Sequence, residues 1–167
     1  PVHVLPDGWS QANDLWMKPS PRRSTLNLGW VGAPGHVDDV STIKRLVIRI
    51  MREFVQTQLV IAGDDKVFQL FDSLPESRKV YLPATSVEES PFTFAQIDVM
   101  FAPLRNIPFN RAQSDQNLVY AGIRQIPWVA SPVPAYEAWA IGGMIADSTE
   151  KWYDSLHQLA ANEELRA

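Results

Sequence analysis

Residues 26–63, LNLGWVGAPGHVDDVSTIKRLVIRIMREFVQTQLVIAG, decide the fold. The stretch opens with a short apolar run, residues 26–32, closed by the glycine-rich turn Gly32-Ala33-Pro34-Gly35. Asp38 or Asp39 then offers a helix cap. Beyond it, Val40, Ile43, Val47, Ile50, Met51 and Phe54 recur at the three-and-four spacing of one amphipathic helix, with Lys44, Arg45, Arg49 and Arg52 off the apolar stripe. Residues 58–63 (QLVIAG) are continuously apolar, the pattern of a strand buried on both faces of a parallel sheet. Strand, turn, helix and strand in this order make a βαβ unit.

The same alternation runs on downstream. Residues 66–74 predict a short helix stopped before Pro75, 79–82 a strand, and 86–89 the opening of another short helix. Residues 97–102 (IDVMFA) predict a strand that leads into a long polar loop. A helix over 114–123, a strand over 128–131, a last strand over 143–146 and a closing helix over 148–161 complete the chain; Trp152, Leu156 and Leu159 supply the last helix's inner face. The fold class is α/β: a doubly wound, Rossmann-like, mainly parallel sheet of about six strands with helices on both faces. Upstream, Pro1, Pro6, Pro19 and Pro21 fix φ and remove donors, so residues 1–25 read as an inter-domain linker or lead-in, with a single strand-like run at 2–5. The domain proper is expected over 26–167. Trp30, Trp128 and Trp152 fall in regular elements and read as core, whereas Trp9, Trp16 and Trp139 read as packing on a domain absent from this sequence.

Composition removes several classes of function. A chain of 167 residues, 46% hydrophobic and 20% charged, is not a disordered tail. Its net charge of -4 gives no global basic field, so neither nucleic acid nor an anionic lipid surface is an expected partner. No apolar run approaches the ~18 residues of a transmembrane helix. Zero cysteines exclude a disulfide scaffold, a thiolate zinc site and a cysteine nucleophile. His3, His36 and His157 lie far apart without metal-ligand spacing, so no metal is expected. A cytoplasmic location is expected from the absent cysteines and signal peptide, with the inner membrane face open to a missing part of a longer chain. The absent initiator Met points to such a longer chain.

Ligands of open α/β sheets sit beyond the carboxyl ends of the strands, where helix N-termini present free N–H groups to anions. Two segments fall there. The turn at 32–39 is neither a dinucleotide fingerprint, because Gly29, Gly32 and Gly35 are three apart, nor a P-loop, which would end in Gly-Lys-Ser/Thr. It reads either as a plain structural turn or as backbone that lets an anion approach. The loop at 103–115 gathers donors, Arg105, Asn110, Arg111, Gln113, Ser114 and Asn117, at the start of a helix that Ser114 could cap. That suits a phosphate or diphosphate, and equally a solvated loop with an ordinary cap.

Phe109-Asn110-Arg111-Ala112-Gln113-Ser114-Asp115, after the strand Ile97-Asp98-Val99-Met100-Phe101-Ala102-Pro103-Leu104, resembles the nucleotide-sugar half of GT-B glycosyltransferases of the group 1, glycogen-synthase-like class. Ile126-Pro127-Trp128-Val129-Ala130-Ser131 is similar to the family's following strand, and Val31-Gly32-Ala33-Pro34-Gly35-His36-Val37-Asp38-Asp39 to its turn after the first strand. Lys79-Val80-Tyr81-Leu82-Pro83 with Val87-Glu88-Glu89, and Val4-Leu5-Pro6-Asp7-Gly8 at the domain entry, match in the same order. The resemblance spans nearly the whole chain. It implies the C-terminal, donor-binding domain of a transferase that moves a sugar from a nucleotide-diphosphate sugar to a saccharide or related acceptor, the acceptor held through a missing N-terminal domain.

The resemblance also implies site residues. Gly32 and Gly35 would let the backbone approach the diphosphate or sugar, and His36 would donate to a phosphate. Arg111 and Ser114, with Asn110 beside them, would contact the diphosphate. Pro83 would lie near the base, and Asn117 and Tyr120 on the following helix would complete the site. No catalytic residue is assigned, and no cofactor or metal is implied. Two glutamates usual in the family fall at Ala112 and Tyr120 here, and two lysines at Gln113 and Asn117. These departures favour the alternative of a degenerate, non-catalytic interaction module. A sugar-nucleotide epimerase is a further reading, although the histidines and carboxylates for that chemistry are not evident.

Overall fold

The structure, a computed structural model, describes residues 7–21 and 23–166. The strand-like run expected at 2–5, and all but the last two residues of the entry motif at 4–8, lie outside the described residues.

Six strands form one sheet: β1 (Leu26–Val31), β2 (Thr57–Gly63), β3 (Lys79–Pro83), β4 (Val99–Ala102), β5 (Trp128–Ala130) and β6 (Met144–Ile145). Their order is β3-β2-β1-β4-β5-β6, and every pairing is parallel. β1 matches β2 from Leu26 opposite Thr57 to Val31 opposite Ala62, so the glycine turn leaves the sheet level with the end of β2. The chain steps from the centre to one edge and then from β4 to the other, which makes the junction of β1 and β4 the point where strand order reverses. That is the doubly wound sheet expected from the sequence.

The period-two alternation of the strands feeds two cores. Leu28, Trp30, Leu59, Ile61, Val99, Phe101 and Val129 point to one face, and Val60, Met100, Ala102, Trp128 and Ala130 to the other. The first face is covered by α2 (Lys44–Glu53) and α8 (Thr149–Ala161), whose Val47, Ile50, Met51 and Leu156 are fully buried. Each such side chain contributes about 1.5–3 kcal/mol of burial. The second face is covered by α4 (Ser90–Phe94) and α6 (Gln116–Ile123) through Phe94, Leu118 and Tyr120.

Some local readings are corrected. The single helix expected after Asp38 or Asp39 is two, α1 (Val37–Ser41) and α2, and the one expected over 66–74 is the shorter α3 (Asp65–Gln69). Thr42 Oγ1 donates to the Asp39 carbonyl at 2.6 Å, and the Thr42 and Ile43 N–H groups bond three residues back, so the helix tightens and breaks there. Neither Asp38 nor Asp39 caps it; His36 holds the cap position without a side-chain bond. Trp16 packs within this domain: it is 4% exposed, with ring centroids 4.7 Å from Tyr120 and 6.3 Å from Phe94. Arg124 fastens this segment by donating to the Trp16 carbonyl at 2.9 Å and to Ser20 Oγ at 3.0 Å.

Candidate functional site

The carboxyl ends of β1 to β4 border a cleft of about 340 Å³, within the range of small-ligand pockets. Gly32 and His36 reach it from the turn after β1, Gly63 from the end of β2, Pro83 and Thr85 from the end of β3, Leu104 from the loop after β4, and Ser114, Asn117 and Tyr120 from α6 and its approach. The first turn of α6 thus borders the cleft, and its N–H groups favour an anion.

Backbone sterics set the floor. Gly63 has φ +102°, and a Cβ there would stand 2.1 Å from the Gly32 carbonyl oxygen. Glycine is required at 63 both for its left-handed backbone and for the close approach of the two strand ends. On the far side, the Leu104 N–H donates to Ser131 Oγ at 2.9 Å, pinning the loop after β4 to the end of β5.

The strongest polar cluster centres on Asp39, 1% exposed. Its Oδ1 accepts from the Arg105 N–H at 2.9 Å, Arg105 Nε at 3.1 Å and Asn110 Nδ2 at 2.8 Å, while Oδ2 meets His36 Nδ1 at 2.8 Å. Burial pushes the Asp39 carboxyl up, but the bonds from Arg105, His36 and Asn110 outweigh it and hold the carboxyl below the ordinary range. Asn110 Nδ2 also donates to the Arg105 carbonyl at 3.0 Å, which fixes its amide orientation. One carboxylate therefore ties the turn after β1 to the loop after β4 and to α5 (Pro108–Arg111).

Of the residues expected at the site, Gly32, His36, Pro83, Ser114, Asn117 and Tyr120 line this one cleft. Gly35 stands at the tip of its turn with φ +112° and does not line it. Asn110 is 1% exposed beneath the loop and serves Asp39. Arg111 is exposed at the end of α5, with no ion pair among the described residues. Asn117 spends Nδ2 on the Val31 carbonyl at 3.0 Å. Ser114 Oγ reaches the Gln116 N–H only at 3.5 Å, and α6 begins at Gln116, two residues later than expected. The Tyr120 hydroxyl takes a bond from Gln116 Nε2 at 3.2 Å, while its ring is packed by Trp16 and Phe94 and burial pushes the phenol up.

Sequence reasoning missed Asp39, Gly63 and Tyr136. Asp39 was legible in principle, because it falls on the apolar series 39, 43, 46, 50, where a carboxylate needs partners. Tyr136, on α7 (Pro134–Glu137), lines the cleft; burial first, then the Asp39 and Asp115 carboxylates, push its phenol up to about 12, so it faces a ligand as a neutral hydroxyl. Arg105, counted among the free donors of its loop, is spent on Asp38 Oδ2 at 3.1 Å and on Asp39. Among the described residues, no group of three His, Cys, Asp or Glu could hold a metal ion, and no helix is long and apolar enough to cross a membrane.

No family model and no curated protein matches this sequence. Solved structures do match. WaaG, a glycosyltransferase involved in lipopolysaccharide biosynthesis, superposes with a TM-score of 0.72 at 15% identity, over 98% of this chain and 48% of that one. TarM gives 0.67 at 14%, over 90% of this chain and 31% of its own; a TarM variant of S. aureus was solved with fondaparinux, alpha-GlcNAc-glycerol and UDP. A UDP-GlcNAc 2-epimerase of Neisseria meningitidis, bound to UDP-GlcNAc, gives 0.60 at 11%, over 93% of this chain and 41% of its own. The chain thus spans about half, or less, of the length of these structures.

Proposed function

The chain has the fold of the C-terminal domain of GT-B glycosyltransferases, and from that premise we propose that it binds the nucleotide-diphosphate sugar from which a glycosyltransferase moves a sugar to a saccharide or related acceptor. The observation that carries this reading is the convergence of the Gly32 turn, the Gly63 strand end and the first turn of α6 on one cleft at the point where strand order reverses. The diphosphate lies against the first turn of α6 and the Gly32 turn, where Ser114 supplies a donor; Arg111, outside the cleft lining and without an ion pair among the described residues, is the cation available to swing in. The base end lies toward Pro83 and Thr85. No metal or cofactor takes part, and the acceptor is held by a further domain of a longer protein.

Half of a two-domain cleft binds weakly. Saturation-transfer NMR of the 167-residue chain with UDP, GDP, ADP, UDP-glucose and GDP-mannose is expected to give dissociation constants near about 1 mM, roughly -4 kcal/mol, for one base. No sugar transfer is expected from this chain alone. Silence toward every nucleotide at several millimolar contradicts the reading and favours a degenerate interaction module.

A further inference from the structure

We infer that Asp39 is a positioning residue for His36: it fixes the ring proton on Nδ1, so that only Nε2 is left for the ligand and a phosphoryl oxygen binds there only when Nε2 also takes up a proton. The inference rests on the cleft being a sugar-nucleotide site.

The Asp39 carboxylate is held through both of its oxygens. Oδ1 already accepts three donors, so the group is locked with Oδ2 toward His36 Nδ1 at 2.8 Å. A carboxylate only accepts, so Nδ1 carries the proton. His36 lines the cleft, and its Nε2 has no hydrogen-bond partner among the described residues. In the neutral ring that atom presents a lone pair, which repels a phosphoryl oxygen; in the charged ring it presents N–H. Anion binding is therefore coupled to proton uptake.

The charged and titratable surroundings leave this coupling to the imidazole. From its own turn come Asp39 and Asp38, the latter ion-paired with Arg105 at 3.1 Å. From the loop after β4 comes Arg105, bound to Asp39. α5 brings the Phe109 ring, 6.3 Å from the His36 ring, and ends on Arg111. α7 brings Tyr136, whose phenol is pushed up to about 12. Asp39, held below the ordinary carboxylate range, and Tyr136, pushed up to about 12, do not change charge between pH 6 and 8.

The test uses UDP-glucose or GDP-mannose, whichever binds, because each phosphate carries one ester and one anhydride link and the ligand does not titrate near neutrality. In the wild type the dissociation constant is expected to rise between pH 6 and pH 8, by up to about tenfold per pH unit, the signature of one proton taken up. In Asp39→Asn, the amide oxygen keeps the three Oδ1 donors and the new NH₂ donates to His36 Nδ1, moving the ring proton to Nε2. Binding then changes by less than about twofold over the same range. His36→Gln leaves the bonds of Asp39 to Arg105 and Asn110 in place and is expected to lose the slope as well, which keeps the test alive if Asp39→Asn does not fold. The ¹⁵N ring spectrum of the wild type alone is expected to show Nδ1–H and a bare Nε2 at pH 8, with Nε2 protonated on ligand addition. A bare Nδ1 in that spectrum, or a pH slope that persists in His36→Gln, overturns the inference and leaves the site reading standing. No binding by the wild type overturns both.

Discussion

Asp39 is the residue on which the site's geometry turns. Its four bonds reach His36, Arg105 and Asn110, which come from three different segments, and it has almost no contact with water. Asp39→Ala strands the Asn110 amide and frees Arg105 and His36, so it is expected to cost about 3–5 kcal/mol, read as a fall in the urea midpoint. The pH sign follows from the direction of the carboxyl's shift. Because the folded group titrates below its ordinary value, its contribution is complete above about pH 5 and is lost as pH falls through the folded value. The gap between wild type and Asp39→Ala is therefore expected to narrow below about pH 4, and a gap unchanged down to about pH 3 contradicts this assignment. Local spacing puts Asp39 on the inward series 39, 43, 46, 50 but names none of its partners. The sequence offers Asp38 or Asp39 as a helix cap; the approach of Arg105 and Asn110, 66 and 71 residues away, holds the Asp39 side chain inward instead.

At the scale of elements, the glycines at the strand ends separate the backbone's needs from the ligand's. Gly63→Ala meets both a left-handed φ and the Gly32 carbonyl at 2.1 Å, so it is expected to cost more than about 2 kcal/mol and to lower the melting temperature. Gly122→Ala, inside α6 with its nearest neighbour 4.0 Å away, is expected to stabilise by up to about 1 kcal/mol. Equal effects would mean that the floor of the cleft is not set by this contact. All six strands are legible because their short apolar runs are continuous or flanked by turn residues, β6 being shorter than the expected 143–146. The break at Thr42 and Ile43 was not, since hydroxyl back-bonding leaves the apolar periodicity intact. The one-turn α5 reads as loop in sequence because Pro108 starts it and only three residues continue it.

For the whole molecule, the order of elements gave the doubly wound class, but the order of strands in the sheet depends on pairings distant in sequence and was not readable from local pattern. The lead-in shows the same limit. Trp16 looked like a residue for another domain because nothing around it in sequence is regular, yet it completes the core under α6 and packs against Tyr120. The Gly32 turn, the first turn of α6, Pro83 and Thr85 border one cavity, and on the proposed reading a sugar nucleotide fills it. An amide-shift titration of the chain with the sugar nucleotide that binds tests this most directly. Shifts are expected to cluster at residues 32–36 and 111–117, with the lead-in and the α2–α8 face unmoved. Shifts confined to other surfaces, or spread evenly over the chain, would contradict it.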